Sequence, residues 1–201
     1  FEYMAFPRLL AMSEVQWTQP EHKDFESFAR RLDKEFERLD YCGVNACRNF
    51  YEVNQAGAWN KSQQTYEVTL NTFCPDADIY YAVNDSTVNT SSSLYETPIP
   101  LDEDATIYSA VYRSGKPLGK VTRKSFAVNK ATGCDYTCNP EAGWEHLNKG
   151  FGLTDGRRGY ARDMRRWISF YQDTVQIVVE LKKPQKVKEV AFSSLDRKSV
   201  V

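Results

Sequence analysis

The sequence predicts a mainly β protein with an N-terminal helical segment. Three observations carry that class. An apolar stripe at helical spacing crosses residues 25–39. Short alternating apolar runs, broken by Pro, Gly, Asn and Asp, recur across 66–128. A further strand-like run at 175–181 follows an arginine-rich stretch. The chain has 201 residues, room for one or two domains, and its 41% apolar and 26% charged content is that of an ordinary globular protein.

Twenty-six basic residues face 27 acidic ones, for a net charge of −1, which argues against a dedicated nucleic-acid binder. Residues 1–43 hold 6 basic and 9 acidic groups, 44–130 hold 8 and 9, and 131–201 hold 12 and 9. These boundaries coincide with changes in pattern, so three segments are expected: helical, sandwich-like and a partial β module. No uncharged stretch is long enough to span a bilayer. The sequence opens on Phe1, nothing in it reads as a signal peptide, and it is expected to be a piece of something longer.

In the helical segment, 6–17 reads FPRLLAMSEVQW. Pro7 suits a first helical turn, where its missing N–H has no partner to lose. Thr18 and Glu21 have capping-box spacing. Phe25, Phe28, Leu32, Phe36 and Leu39 then define an amphipathic helix over roughly 24–41, with Glu26–Arg30 and Arg31–Glu35 as i,i+4 pairs on its wet side and Gly43 as its stop. The stripe needs a surface to bury it, either the sandwich or a second copy of the chain. Arg8, Glu14 and Trp17 read as packing and an ion pair. Asp33 and Glu35 read as wet-face residues.

Strands are expected at 66–70, 78–83, 94–95, 105–112 and 118–128, alternating and closely spaced as in a small β-sandwich. No histidine or Gly-rich phosphate loop occurs in this stretch, and its carboxylates sit mainly in turns, where Asp76, Asp85, Asp102, Glu103 and Asp104 read as solvated turn residues. Asn60, Asn84 and Asn89 begin glycosylation sequons, relevant only in a eukaryotic secretory setting. The last segment offers a turn at 153–156 and strands at 175–181 and 187–193. Arg157, Arg158, Arg162, Arg165 and Arg166 crowd beside Tyr160 and Trp167. That group reads as a solvated loop partly caging Trp167, or as aromatics able to stack on a sugar ring; Trp144, Tyr160 and Trp167 are the carbohydrate-binding candidates. The five cysteines, Cys42, Cys47, Cys74, Cys134 and Cys138, form no CxxC pair, and with two histidines in the chain a zinc site is not expected. Asp155 lies in an Asp-Gly turn, but one side-chain ligand is too few for a hard cation. Calcium binding is expected to be weak or absent, the metal content is otherwise open, and no cofactor is expected.

The run 6–17, with Pro7, Arg8, Ala11, Glu14 and Trp17 at its matching positions, resembles the end of the catalytic (β/α)8 barrel of bacterial, Bacteroidetes-like glycoside hydrolase family 20 β-N-acetylhexosaminidases. The second segment resembles the immunoglobulin- or fibronectin-like β-sandwich that follows that barrel. It does so through Ala77–Tyr81, Tyr95, Pro98–Leu101, Ala105–Ile107 and Gly115–Gly119. The third, through 153–156, Trp167 and 175–181, is similar to the start of a discoidin-like β jelly roll of the family 32 carbohydrate-binding type. The resemblance implies a domain order of barrel end (1–43), sandwich (44–130) and partial jelly roll (131–201). It further implies a parent exo-enzyme that removes terminal N-acetylhexosamine by substrate-assisted hydrolysis, in which an Asp orients the 2-acetamido group and a Glu protonates the leaving oxygen. Those residues lie upstream in the family, so no catalytic residue is assigned here and the chain is expected to be inactive. The glycan partner would be met through the barrel. Self-association through an exposed helix face or sheet edge, and a periplasmic, cell-surface or secreted location, are further expectations. The alternative is a stand-alone carbohydrate-binding or adhesion module.

Overall fold

A computed structural model describes residues 1–141, 152–156, 167–170 and 174–192. The chain is mostly β with an N-terminal helical segment and several antiparallel sheets, as a β-sandwich requires. Helices α1 (Glu2–Ala5), α2 (Arg8–Trp17) and α3 (Phe25–Tyr41) come first. They are followed by β1 (Asn54–Asn60), β2 (Thr65–Asn71), β3 (Asp78–Val83), β4 (Ser93–Leu94), β5 (Ile99–Leu101), β6 (Ala105–Arg113), β7 (Lys116–Pro117), β8 (Thr122–Phe126), β9 (Tyr136–Asn139) and β10 (Gln176–Val179). One sheet has the order β1-β2-β5. A second has β4-β3-β6-β7, with β8 also on β6, and a third pairs β9 with β10. The chain divides into two compact units. The first joins Phe1–Gln55, Leu70–Thr97 and Thr106–Lys124; the second joins Ala56–Thr69, Pro98–Ala105 and the described residues from Ser125 onward.

In the first unit α3 forms where its stripe predicts. Asp24 caps it by accepting from the Glu26 amide at 3.0 Å. Gly43, at φ +71°, takes the left-handed conformation that ends it, and the amide of Val44 closes on the carbonyl of Leu39. The capping box expected at Thr18 and Glu21 does not form, because Thr18 is the C-cap of α2 and Pro20–His22 makes a 3-10 turn instead. Pro7 is the N-cap residue of α2 rather than part of its first turn.

Ala29, Leu32 and Phe36 are buried. Phe36 packs on Phe50 and Tyr51 with ring centroids 5.8 and 5.3 Å apart, and Arg48 caps its face at 4.4 Å. The stripe is therefore buried within the chain's own first unit. Phe25, at its start, stays 61% exposed, with its ring against Phe28 and Phe73. Of the two expected ion pairs one forms and one is replaced. Glu26–Arg30 forms at 2.7 Å, but Arg31 takes both carboxylate oxygens of Glu14 on α2, at 2.9 and 2.7 Å, leaving Glu35 to Arg38. A forked guanidinium favours the bidentate partner across helices over a single contact along its own. Arg8 donates to the carbonyl of Met4, and Trp17 is 87% exposed rather than packed. Met4, Leu9, Met12 and Val15 are exposed as well, so α1 and α2 present an apolar outer face.

Strands β3 and β6 pair over six residues, from Asp78 opposite Tyr112 to Val83 opposite Ile107. Tyr80, Ala82, Tyr108, Ala110 and Tyr112 fall on one face of that pair. Val88 from the following loop covers them and accepts the Tyr112 hydroxyl at 2.9 Å. Gln55, 3% exposed, donates from Nε2 to Ser109 Oγ at 2.8 Å and to the carbonyls of Ile107 and Thr122. In the second unit Tyr66, Val68, Ile99 and Leu101 are buried where β2 meets β5. The turn at 153–156 and the strand near 175–181 form. Strand 187–193 does not: residues 187–192 lie outside any strand, with Val190 85% exposed. An alternating sequence gains strand pairing only when a neighbour offers a ladder.

Removing the Phe36 ring should cost about 3–5 kcal/mol. Phe36→Ala is expected to lower the denaturation midpoint strongly, whereas Phe25→Ala should shift it by less than about 1 kcal/mol; both are read by denaturant melts. The Arg31 guanidinium, through its hydrogen bonds, holds the Glu14 carboxyl below its ordinary range. A lowered folded value means the Glu14–Arg31 tie stabilises above the unfolded carboxylate pKa of about 4.3 and is lost as pH falls through the folded one. Helical ellipticity followed from pH 6 downward should show an acid limb that Glu14→Gln lacks.

Candidate functional site

Of the three aromatic candidates, Trp144 and Tyr160 lie outside the described residues, as does the whole 157–166 arginine stretch. Trp167 is half-buried beside Ile168. Ile168 in turn packs so closely on Gly152 that a Cβ there would come within 2.7 Å of its Cδ1. The carboxylates are engaged structurally. Glu35 is held by Arg38, and Asp104 accepts the Val128 amide at 2.8 Å, while Asp102 and Glu103 are exposed. Among the described residues no group of three or more His, Cys, Asp or Glu is placed to hold a metal ion.

Asp33 is not on a wet face. It is half-buried at the centre of a polar cluster in the first unit. Its Oδ1 accepts from the Tyr51 hydroxyl at 2.7 Å and its Oδ2 from Arg113 Nη1 at 2.6 Å. Arg113, at the end of β6, also donates from Nη2 to the carbonyl of Pro75 at 2.9 Å and to Cys74 Sγ at 3.1 Å. Helical periodicity could not find this cluster, because Asp33 and Arg113 are 80 residues apart. Burial, reinforced by donation to Asp33, pushes the Tyr51 phenol well above its usual range. Burial likewise raises the Cys74 thiol to about 11, against the lowering influence of Arg113. At neutral pH the cluster holds a protonated phenol, a protonated thiol and a paired carboxylate. With Asp33 taken up by Tyr51 and Arg113 and the thiol held as the weaker nucleophile, the arrangement is that of a fastening.

The second unit has its own aromatic centre, at a residue the sequence reading passed over. Trp59 on β1 carries the Lys182 ammonium 4.4 Å from its ring centroid. Lys182 also donates to the Gln64 side chain. Gly133, at φ +71°, lies against the same indole; a Cβ there would fall 2.1 Å from Cε2. Only glycine meets both requirements. Trp59 thus serves as packing, engaged by Lys182 and Gly133. Its Nε1 is buried without a partner among the described residues.

Residues 54–123 match the chitobiase/β-hexosaminidase C-terminal domain family. A β-hexosaminidase of Porphyromonas gingivalis (strain ATCC BAA-308 / W83) is 51% identical over 45 residues, which make up 22% of this chain and 6% of that protein. The chain therefore spans a small share of the relative it matches. The resemblance to the C-terminal portion of a hexosaminidase holds on both comparisons.

The buried, raised thiol of Cys74 should label slowly in the native chain. At pH 8, peptide-resolved mass spectrometry with a thiol alkylator is expected to find exposed Cys42 modified first and Cys74 only on unfolding.

Proposed function

We propose that the chain is a non-catalytic C-terminal part of an exo-β-N-acetylhexosaminidase of glycoside hydrolase family 20. In this reading residues 1–43 are the last helices of the catalytic barrel, 44–130 the fibronectin-like sandwich and 131–201 the start of a discoidin-like module. The observation that carries it is the match of 54–123 to a hexosaminidase C-terminal domain. The structure supports it in two ways. Glu14 and Arg31 fasten the helices to each other, and α3 is built into the first unit. The outer apolar face of α1 and α2, with Met4, Leu9, Met12 and Val15, is a surface suited to packing on a catalytic part. The parent enzyme would remove terminal N-acetylhexosamine by substrate-assisted hydrolysis, and it would meet the glycan through its catalytic part. Its expected location is periplasmic, cell-surface or secreted, where such glycans are found.

The chain alone is expected to release no aryl alcohol from an aryl N-acetyl-β-glucosaminide above buffer background. A longer gene product that includes this sequence is expected to do so. Turnover by the chain alone, or none by the longer product, would sink the reading. Selective binding on a glycan array without turnover by either would favour a stand-alone binding or adhesion module.

A further inference from the structure

We infer that the Asp33–Arg113 joint is an orientation device: a polar fastening that fixes the angle of α3 on its sheet more than it adds stability. Four separate pieces of chain converge on it. They are α3 through Asp33, the 3-10 turn Asn49–Tyr51 through Tyr51, the β2–β3 loop through Cys74 and Pro75, and β6 through Arg113. The same helix already has apolar anchorage in Leu32 and Phe36, so the joint is not needed to bury it. Apolar contacts tolerate sliding. A forked guanidinium that must reach Asp33 Oδ2 and the Pro75 carbonyl together does not. Half-buried charge pairs add little net stability, because desolvation offsets their attraction, and their best-attested use is to select one arrangement. A second carboxylate–guanidinium pair, Glu14–Arg31, passes the constraint from α3 to α2. The orientation of the α2 outer face is thus tied to β6 through two charge pairs. For the reading above, on which this consequence rests, the joint sets how the helical segment is presented to the catalytic part.

Cys74 is a built-in reporter, since it touches Arg113 and is 4% exposed. Arg113→Lys keeps the charge but loses the fork. Asp33→Leu with Arg113→Met replaces the pair by apolar groups of similar size. Both variants should melt within about 5 °C of the native chain, a shift worth roughly 1–2 kcal/mol at this size. Both should nevertheless alkylate Cys74 at least tenfold faster. The Arg113 side lowers the Cys74 thiol through both its charge and its hydrogen bond, and outweighs the raising influence of Asp33, so the loss of both in the double variant leaves the thiol no more reactive and any acceleration there reports opening. Native labelling rates in Arg113→Lys would overturn the inference, and so would a melting point that falls in step with the labelling rate across the two variants. The measurement uses the chain without a catalytic partner, so its failure is separate from failure of the hydrolase reading.

Discussion

The packing of Phe36 against Phe50 and Tyr51 is the contact on which the first unit depends. A 17-residue amphipathic helix has no place of its own in a β protein. Its apolar side must be covered, and here the 3-10 turn just before β1 supplies two aromatic rings for it. Tyr51 then does two things at once: its ring closes over Phe36, and its hydroxyl reaches Asp33 on the next turn of the same helix. Hydrophobic anchorage and polar positioning therefore meet in one residue. Burial holds the phenol protonated, as donation to a carboxylate requires.

What could be read from the sequence followed from periodicity. The helix over 25–41 and the β3–β6 pair have strong, uninterrupted patterns, and both appear within a residue or two of the expected bounds. Strand β1, by contrast, reads NQAGAWN, and its inward positions are Gln55, Gly57 and a half-buried Trp59. Those residues carry little hydropathy. Gln55 is buried with its Nε2 donating to three acceptors while its Oε1 has no partner among the described residues, and Gly57 lies under Tyr66. Strand β9, YTCN, is visible only once its partner β10 is known. The segment at 187–192 fails the other way, with a strand-like pattern and no ladder among the described residues.

The candidate site was legible to a smaller degree for a related reason. Local spacing predicted which charges lie near each other along a helix, and it assigned Arg31 to Glu35 and Asp33 to water. The structure gives Arg31 to Glu14 and Asp33 to Arg113, partners 17 and 80 residues away. A guanidinium on a helix surface has several carboxylates within reach, and tertiary approach decides among them. Family motifs reached further than spacing did, since they carried the hexosaminidase resemblance that the match over 54–123 supports.

The contact between Trp59 and Lys182 bears on how the chain is made. Lys182 also reaches Gln64, 118 residues earlier, in the turn that follows β1. During synthesis at about 5–20 residues per second, β1 and that turn exist for on the order of 6–24 s before their cationic cover is even polymerised. The last residue of the first unit is Lys124, so all of that unit's residues are polymerised much sooner. Vectorial synthesis therefore leaves an interval in which one unit has all its parts and the other has an indole waiting, and any chaperone that recognises exposed aromatic surface would find it there.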